Sequence, residues 1–219
     1  MIKKLILYGA SNFGDEIVQL FRDVNKNSEK TKWEIVGFLD DNFDVIGKDR
    51  NGVKVIGNKN WLKNNHQSDY YYVCCIGNAK TKSKIVDHLN SFKVKYASAI
   101  HPTVVISEYS KVGDGTVITA GNIITTNVLI KNHIIINLSC TIGHKSVIED
   151  YCTINPAVNI SGDTILHEGA YIGTNATILE KISIGRYSII GGGALVNKNI
   201  PDNVTAVGIP VRIVKQHSL

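Results

Sequence analysis

Cysteine is scarce in this chain of 219 residues, and the four present, Cys74, Cys75, Cys140 and Cys152, form no Cys-x-x-Cys pair. That spacing argues against a disulfide framework and fits a reducing cytoplasm. Long apolar runs are missing too. The run Leu5 to Tyr8 is too short for a secretory signal and enters a glycine turn directly, and nothing approaches the about 20 residues that cross a bilayer. Charge of one sign is not concentrated either. A net charge of +5 suits phosphorylated ligands but lacks the clustered basic stripe of a nucleic-acid binder, and Lys3, Lys4, Lys80, Lys82 and Lys84 read as solvated surface. Neither nucleic acid nor membrane is expected as a partner.

What the chain does have is a period of six. Isoleucine, valine or leucine stands at every sixth position from Ile100, Ile106 and Val112 through to Ile190 and Val196, with no step skipped. Four residues after these aliphatics come mostly small side chains, such as Ser110, Thr116, Cys140, Ser146, Cys152, Ala170, Ala176, Ser188 and Ala194. Residues two apart on a strand share a face, so each small residue and the next aliphatic line one interior wall, and Cys140 and Cys152 read as core filler. Six does not fit a helical repeat; it is the mark of a parallel β-helix solenoid. Three strands close one triangular coil of eighteen residues, and at about 4.8 Å between stacked strands nearly six coils rise roughly 27 Å. Corners need backbone of positive φ, which suits Gly115, Gly121, Asn127, Gly169, Asn175, Gly193 and Asn199, three residues after the aliphatics. Spacing leaves the hand of the coil open. No insertion interrupts the period, so no long loop can form a lid.

Residues 1–97 lack the period and fold separately, with the solenoid and a short tail over 98–219. Leu5 to Tyr8 predict a strand ending in Gly9-Ala10-Ser11-Asn12-Phe13-Gly14, followed by helical spacing at Ile17, Val18, Leu20 and Phe21. Such a turn aims backbone N–H groups at a phosphate, or serves only as a tight turn. A second strand, Glu34 to Leu39, ends in Asp40-Asp41, whose carboxylates can accept hydrogen bonds from a ribose or base. A third, Tyr70 to Cys75, leads through Gly77-Asn78 into a helix over 79–89. Strands alternating with helices predict a small Rossmann-like parallel sheet, with Gly9, Asp40 and Gly77 at the carboxyl ends where a ligand sits.

Taken together, "YGASNFG", "IVGFLDD", "IGNAKTKSKI", "IHPTVVIS" and the closing "GGGALVNKNIPDNVTAVGIPVRIVK" resemble bacterial hexapeptide-repeat sugar acetyltransferases of surface-polysaccharide pathways. Members of that family acetylate UDP- or GDP-linked amino sugars, and relatives are assigned to sialic acid O-acetylation. The resemblance spans nearly the whole chain. It implies a left-handed β-helix, a homotrimer, acetyl-CoA as co-substrate and a nucleotide sugar on the N-terminal domain, contacted by Gly9, Ser11, Asn12, Phe13, Gly14, Asp40, Asp41, Gly77 and Asn78. The family's catalytic histidine maps to His144 within "IGHKSVIEDY", and an asparagine seven residues earlier to Asn137. Relatives often carry an acidic residue just before that histidine, where this chain has Gly143, and a second histidine nine residues after it, where this chain has Thr153. Several have histidine at the position of Phe13. The closing segment adds Ala194, Gly208 and Pro210 to the acetyl-CoA contacts.

Acetyl transfer to an amine needs a neutral nucleophile, a base for its proton and donors for the oxyanion. Histidine, with an ordinary pKa of about 6.5, suits the base role. His144 lies two residues after Ile142, at a corner, and so projects outward, as a plain surface histidine would. At steps of eighteen, Asn137, Asn155, Gly173 and Gly191 form one column. Its glycines leave room for pantetheine along the backbone, or the column is simply a packing ladder. Seven residues and a corner separate Asn137 from His144, so the two are expected to meet across a subunit interface. His101, His133 and His167 read as structural or surface, and their spacings to His144 do not supply a three-histidine zinc site; no metal is expected. The rivals to N-acetylation are O-acetylation of a sugar hydroxyl and a non-catalytic nucleotide-binding trimer.

Overall fold

The computed structural model describes residues 2–217. The chain divides into two compact units, Met1–Pro102 and Thr103–Leu219; the first takes in residues 98–102, where the hexapeptide pattern already runs.

In the first unit β1 (Lys3–Tyr8), β2 (Trp33–Leu39), β3 (Asp49–Arg50), β4 (Val53–Gly57), β5 (Tyr70–Cys74) and β6 (Lys95–Tyr96) form one sheet in the order β3-β4-β2-β1-β5-β6. All pairings are parallel except β3 with β4. Leu5, Ile6, Leu7 and Tyr8 on β1 are all buried, as a central parallel strand covered on both faces requires. Helix α1 (Asn12–Lys26) buries Ile17, Val18, Leu20 and Phe21. After the short α2 (Leu62–Asn65), α3 (Ala79–Asn90) buries Lys82, Val86 and Leu89. This corrects the surface reading of Lys82, which is 0% exposed. Positions 82, 86 and 89 share the inward stripe of a helix, so the lysine is drawn in with its neighbours.

In the second unit each strand from Val105–Ile106 to Thr177–Ile178 pairs with the strand eighteen residues on. Val117–Ile118 pairs with Ile135–Ile136, then Thr153–Ile154, Tyr171–Ile172 and Ile189–Ile190. A second sheet climbs from Val105–Ile106 to Leu195–Val196, and a third from Lys111–Val112 to Ser183–Ile184. The winding is that of a left-handed β-helix. Thr116, Cys140, Ser146, Cys152, Ala170, Ala176, Ser188 and Ala194 are buried beside the aliphatic columns. Burial also pushes the Cys140 thiol up to about 11, so it is filler rather than nucleophile. The last coil hands over to Val204–Val207, which pairs antiparallel with Arg212–Gln216.

The corners go beyond the glycine and asparagine rule. Each corner residue from Gly115 to Gly193 has φ between 52° and 75°, including His133, Ser139, Lys145, Tyr151, Ala157, Asp163, Lys181 and Tyr187. Their left-handed backbone is held from outside. The N–H of each of these eight donates to the carbonyl nineteen residues earlier, as in Lys145 to Thr126 and Asp163 to His144. That inter-coil bond offsets the steric cost of a Cβ at positive φ. Asn199 departs from the expectation: its φ is not in the left-handed region. It closes the last coil instead, its Oδ1 accepting from the Ser183 N–H at 2.8 Å.

On the solenoid surface Lys131, Glu149 and His167 stack in one column, Glu149 meeting Lys131 Nζ at 3.0 Å and His167 Nδ1 at 3.1 Å. Burial raises the Glu149 pKa, but hydrogen bonds from Lys131 and His167 outweigh it and hold the carboxyl below its ordinary value of 4.5. A depressed folded-state pKa contributes stability above the unfolded value, and that contribution is lost as pH falls through the folded one. Glu149→Gln is therefore expected to lower the urea midpoint at about pH 7 and to converge with the unaltered protein near pH 2. An equal gap at both pH values would contradict this account.

Candidate active site

The carboxyl ends of β1, β2 and β5 gather the residues expected there. Gly9 has φ 112°, and a Cβ on it would lie 3.0 Å from Ile76 Cγ1 and 3.2 Å from the Cys75 carbonyl oxygen. Position 9 therefore needs glycine for both conformation and space. Ser11 caps α1, its Oγ accepting from the Gly14 N–H at 3.4 Å. A Cβ at Gly14 would press on the Gly9 carbonyl and come within 3.0 Å of Phe38 Cε1. Asp40 stitches the turn together: one oxygen accepts from the Ala10 N–H and the other from the Asn42 N–H, each at 2.8 Å. Asp41 is exposed and accepts from the Lys59 N–H at 3.1 Å. Asn78 caps α3 through the Thr81 N–H at 3.0 Å, next to the half-buried Gly77. Asn12 is exposed and Phe13 half-buried on the first turn of α1. A residue that sequence reading passed over joins them. Arg50 from β3 pairs with Asp15 at 2.6 Å and donates to Asn12 Oδ1 at 3.1 Å, so a guanidinium lies against the glycine turn.

In the solenoid His144 is exposed, its side chain 52% accessible, and its Nδ1 lies 3.6 Å from Asp163 Oδ2. Glu180 lies close by: donor atoms of His144, Asp163 and Glu180 all fall within 4.8 Å of one another, a mixed set that could also close on a divalent cation. The imidazole lies on the backbone of Gly162, where a Cβ would stand 2.6 Å from Nε2 and 2.8 Å from Nδ1. Position 143 has no room for a side chain either, since a Cβ there would lie 2.6 Å from the Ser161 carbonyl carbon. Position 143 therefore requires glycine. Thr153 is buried between Ile135 and Tyr171.

The column Asn137, Asn155, Gly173, Gly191 is present as expected, but coil packing accounts for it in large part. Asn137 is 8% exposed, its Nδ2 donating to the Ile154 carbonyl at 3.2 Å, and Asn155 Nδ2 donates to the Ile172 carbonyl at 2.7 Å. A Cβ at Gly173 would lie 2.5 Å from the Gly192 nitrogen, and one at Gly191 would lie 2.6 Å from Val207 Cγ1. Ala194 is 1% exposed, and both its backbone groups are bonded within the solenoid, to Gly191 and Thr177. Gly208 and Pro210 stand exposed on the turn after Val204–Val207.

Residues 4–89 match the family described as PglD N-terminal domain, and residues 163–198 match bacterial transferase hexapeptide (six repeats). The chain joins a PglD-type N-terminal domain to bacterial transferase hexapeptide repeats. It is 28% identical over 216 residues to GDP-perosamine N-acetyltransferase of Escherichia coli O157:H7, covering 96% of each chain. It superposes on the acetyltransferase domain of PglB from Neisseria gonorrhoeae FA1090 in complex with acetyl coenzyme A, with a TM-score of 0.89, 27% identity and coverage of 98% and 100%. On WeeI from Acinetobacter baumannii AYE the TM-score is 0.84, with 29% identity and coverage of 96% and 99%. Gly9, Ser11, Asn12, Phe13, Gly14, Asp40, Asp41, Gly77 and Asn78 all fall inside the PglD-type segment. Among the described residues no helix is long and apolar enough to cross a membrane.

Proposed function

We propose that this protein transfers the acetyl group of acetyl-CoA to the amino group of a nucleotide-linked amino sugar, with His144 as general base. One observation carries the reading: the match to the GDP-perosamine N-acetyltransferase covers 96% of both chains, so it takes in both units and not the common repeat alone. The neutral amine adds to the thioester carbonyl and passes a proton to the imidazole. The tetrahedral oxyanion then collapses, the C–S bond breaks, and CoA takes up the proton as it leaves. The Gly9–Gly14 turn, Asp40, Asp41, Gly77 and Asn78 hold the sugar nucleotide. Acetyl-CoA runs along Asn155, Gly173 and Gly191 toward Ala194, Gly208 and Pro210. The working form is a cytoplasmic homotrimer in which Asn137 of one copy stands beside His144 of the next.

The test is incubation with acetyl-CoA and a panel of UDP-, dTDP- and GDP-linked amino sugars, followed by mass spectrometry. One sugar nucleotide gaining an alkali-stable acetyl group supports the reading. An alkali-labile product would move the chemistry to a hydroxyl, and acetyl-CoA left intact with every sugar would contradict it. Turnover is expected to persist in excess EDTA. Loss in EDTA with recovery on Zn²⁺ would reassign His144, Asp163 and Glu180 to a metal. Light scattering at other than three chain masses would end the trimer.

A further inference from the structure

The residue before His144 is Gly143, and that position cannot supply a carboxylate, because a Cβ there would meet the Ser161 carbonyl carbon at 2.6 Å. The next coil does supply a carboxylate. The Asp163 N–H donates to the carbonyl of His144 itself at 2.8 Å, which ties the backbone of the acid to the backbone of the base. Its Oδ2 then lies 3.6 Å from Nδ1. That is slightly longer than a hydrogen bond, as is usual for catalytic pairs before substrate binds. The third restraint is Gly162, buried and without a side chain, on whose backbone the ring lies.

Two other charges at this edge decide which acid faces the ring. Lys145 and Lys181 share the corner column of Asp163, one coil to each side. Lys181 Nζ approaches Glu180 Oε1 at 3.9 Å, so Glu180 answers to a lysine as well as to the site. Asp163 is the acid whose backbone is bonded to His144.

We infer that Asp163, nineteen residues downstream, is the positioning residue of His144: its carboxylate accepts the Nδ1–H and leaves Nε2 unprotonated and directed at the substrate. The inference rests on the acetyltransferase reading above. A carboxylate facing Nδ1 selects one tautomer of the neutral ring, and the Gly162 backbone sets its plane. The proton removed from the amine is then received at Nε2 while Nδ1 keeps its own, so no proton need reach Asp163 during turnover. Side-chain length at position 162 follows from the same geometry, since any Cβ there would lift the ring off its seat.

Asp163→Asn is the informative variant, because asparagine also accepts the left-handed corner and keeps the shape of the side chain. It is expected to lower kcat about tenfold or more, to leave the KM for both substrates unchanged within about twofold, and to leave the melting temperature unmoved. Long-range ¹⁵N NMR of the ring, at a pH where the imidazole is neutral, is expected to show the Nδ1–H tautomer in the unaltered protein and a mixture in the variant. Asp163→Glu, which keeps the carboxylate, is expected to hold the tautomer and recover most of the turnover. Either readout unmoved in Asp163→Asn overturns the inference, as does a kcat loss that Asp163→Glu shares in full. The NMR measurement needs no substrate. Failure of the acetyltransferase reading, seen as an inactive unaltered protein, is therefore distinguishable from failure of this one.

Discussion

His144→Ala is expected to lower kcat by about a hundredfold or more while the KM values for acetyl-CoA and the sugar nucleotide stay within a few-fold. The imidazole is exposed at a corner, its side chain 52% accessible, so its loss removes a proton acceptor and little structure. A base acts in the transition state and contributes little to ground-state binding, so the loss falls on kcat and on kcat/KM together. Stopped-assay CoA release and product mass separate this from a binding defect. Unchanged turnover would remove His144 from the mechanism, and a raised KM at constant kcat would make it a binding residue.

The second large effect lies in the solenoid core. Ile154 is 0% exposed and stacks between Ile136 and Ile172 in register. Truncation to alanine leaves a void that neither neighbour can fill, since each is held in its own coil by backbone hydrogen bonds on both sides. Ile154→Ala is expected to cost about 2–5 kcal/mol in urea denaturation. Val105→Ala on an outward position, 64% exposed, is expected to fall within about 0.5 kcal/mol of the unaltered protein. Similar losses at both positions would mean that the inward column does not carry the solenoid.

The period of six was legible because every coil repeats one packing problem: Ile118, Ile136, Ile154, Ile172 and Ile190 solve it five times at one phase. The turn Gly9–Gly14 was legible for a different reason, since two glycines there meet backbone that a Cβ would strike. What the pattern hid depends on contacts between distant residues. His133, Lys145, Tyr151 and Asp163 adopt positive φ because a carbonyl one coil back accepts their N–H, and no local preference announces that. Lys82 looked solvated by type, yet its helical phase matches Val86 and Leu89. The acid facing His144 is Asp163, brought by the next coil from nineteen residues away. Arg50 reaches the turn from a hairpin far along the chain.

The most direct measurement is a crystal structure of the protein with CoA and its amino-sugar nucleotide bound together. The CoA sulfur and the sugar amine are expected to meet within hydrogen-bond reach of His144 Nε2. Coenzyme bound away from that imidazole would contradict this account.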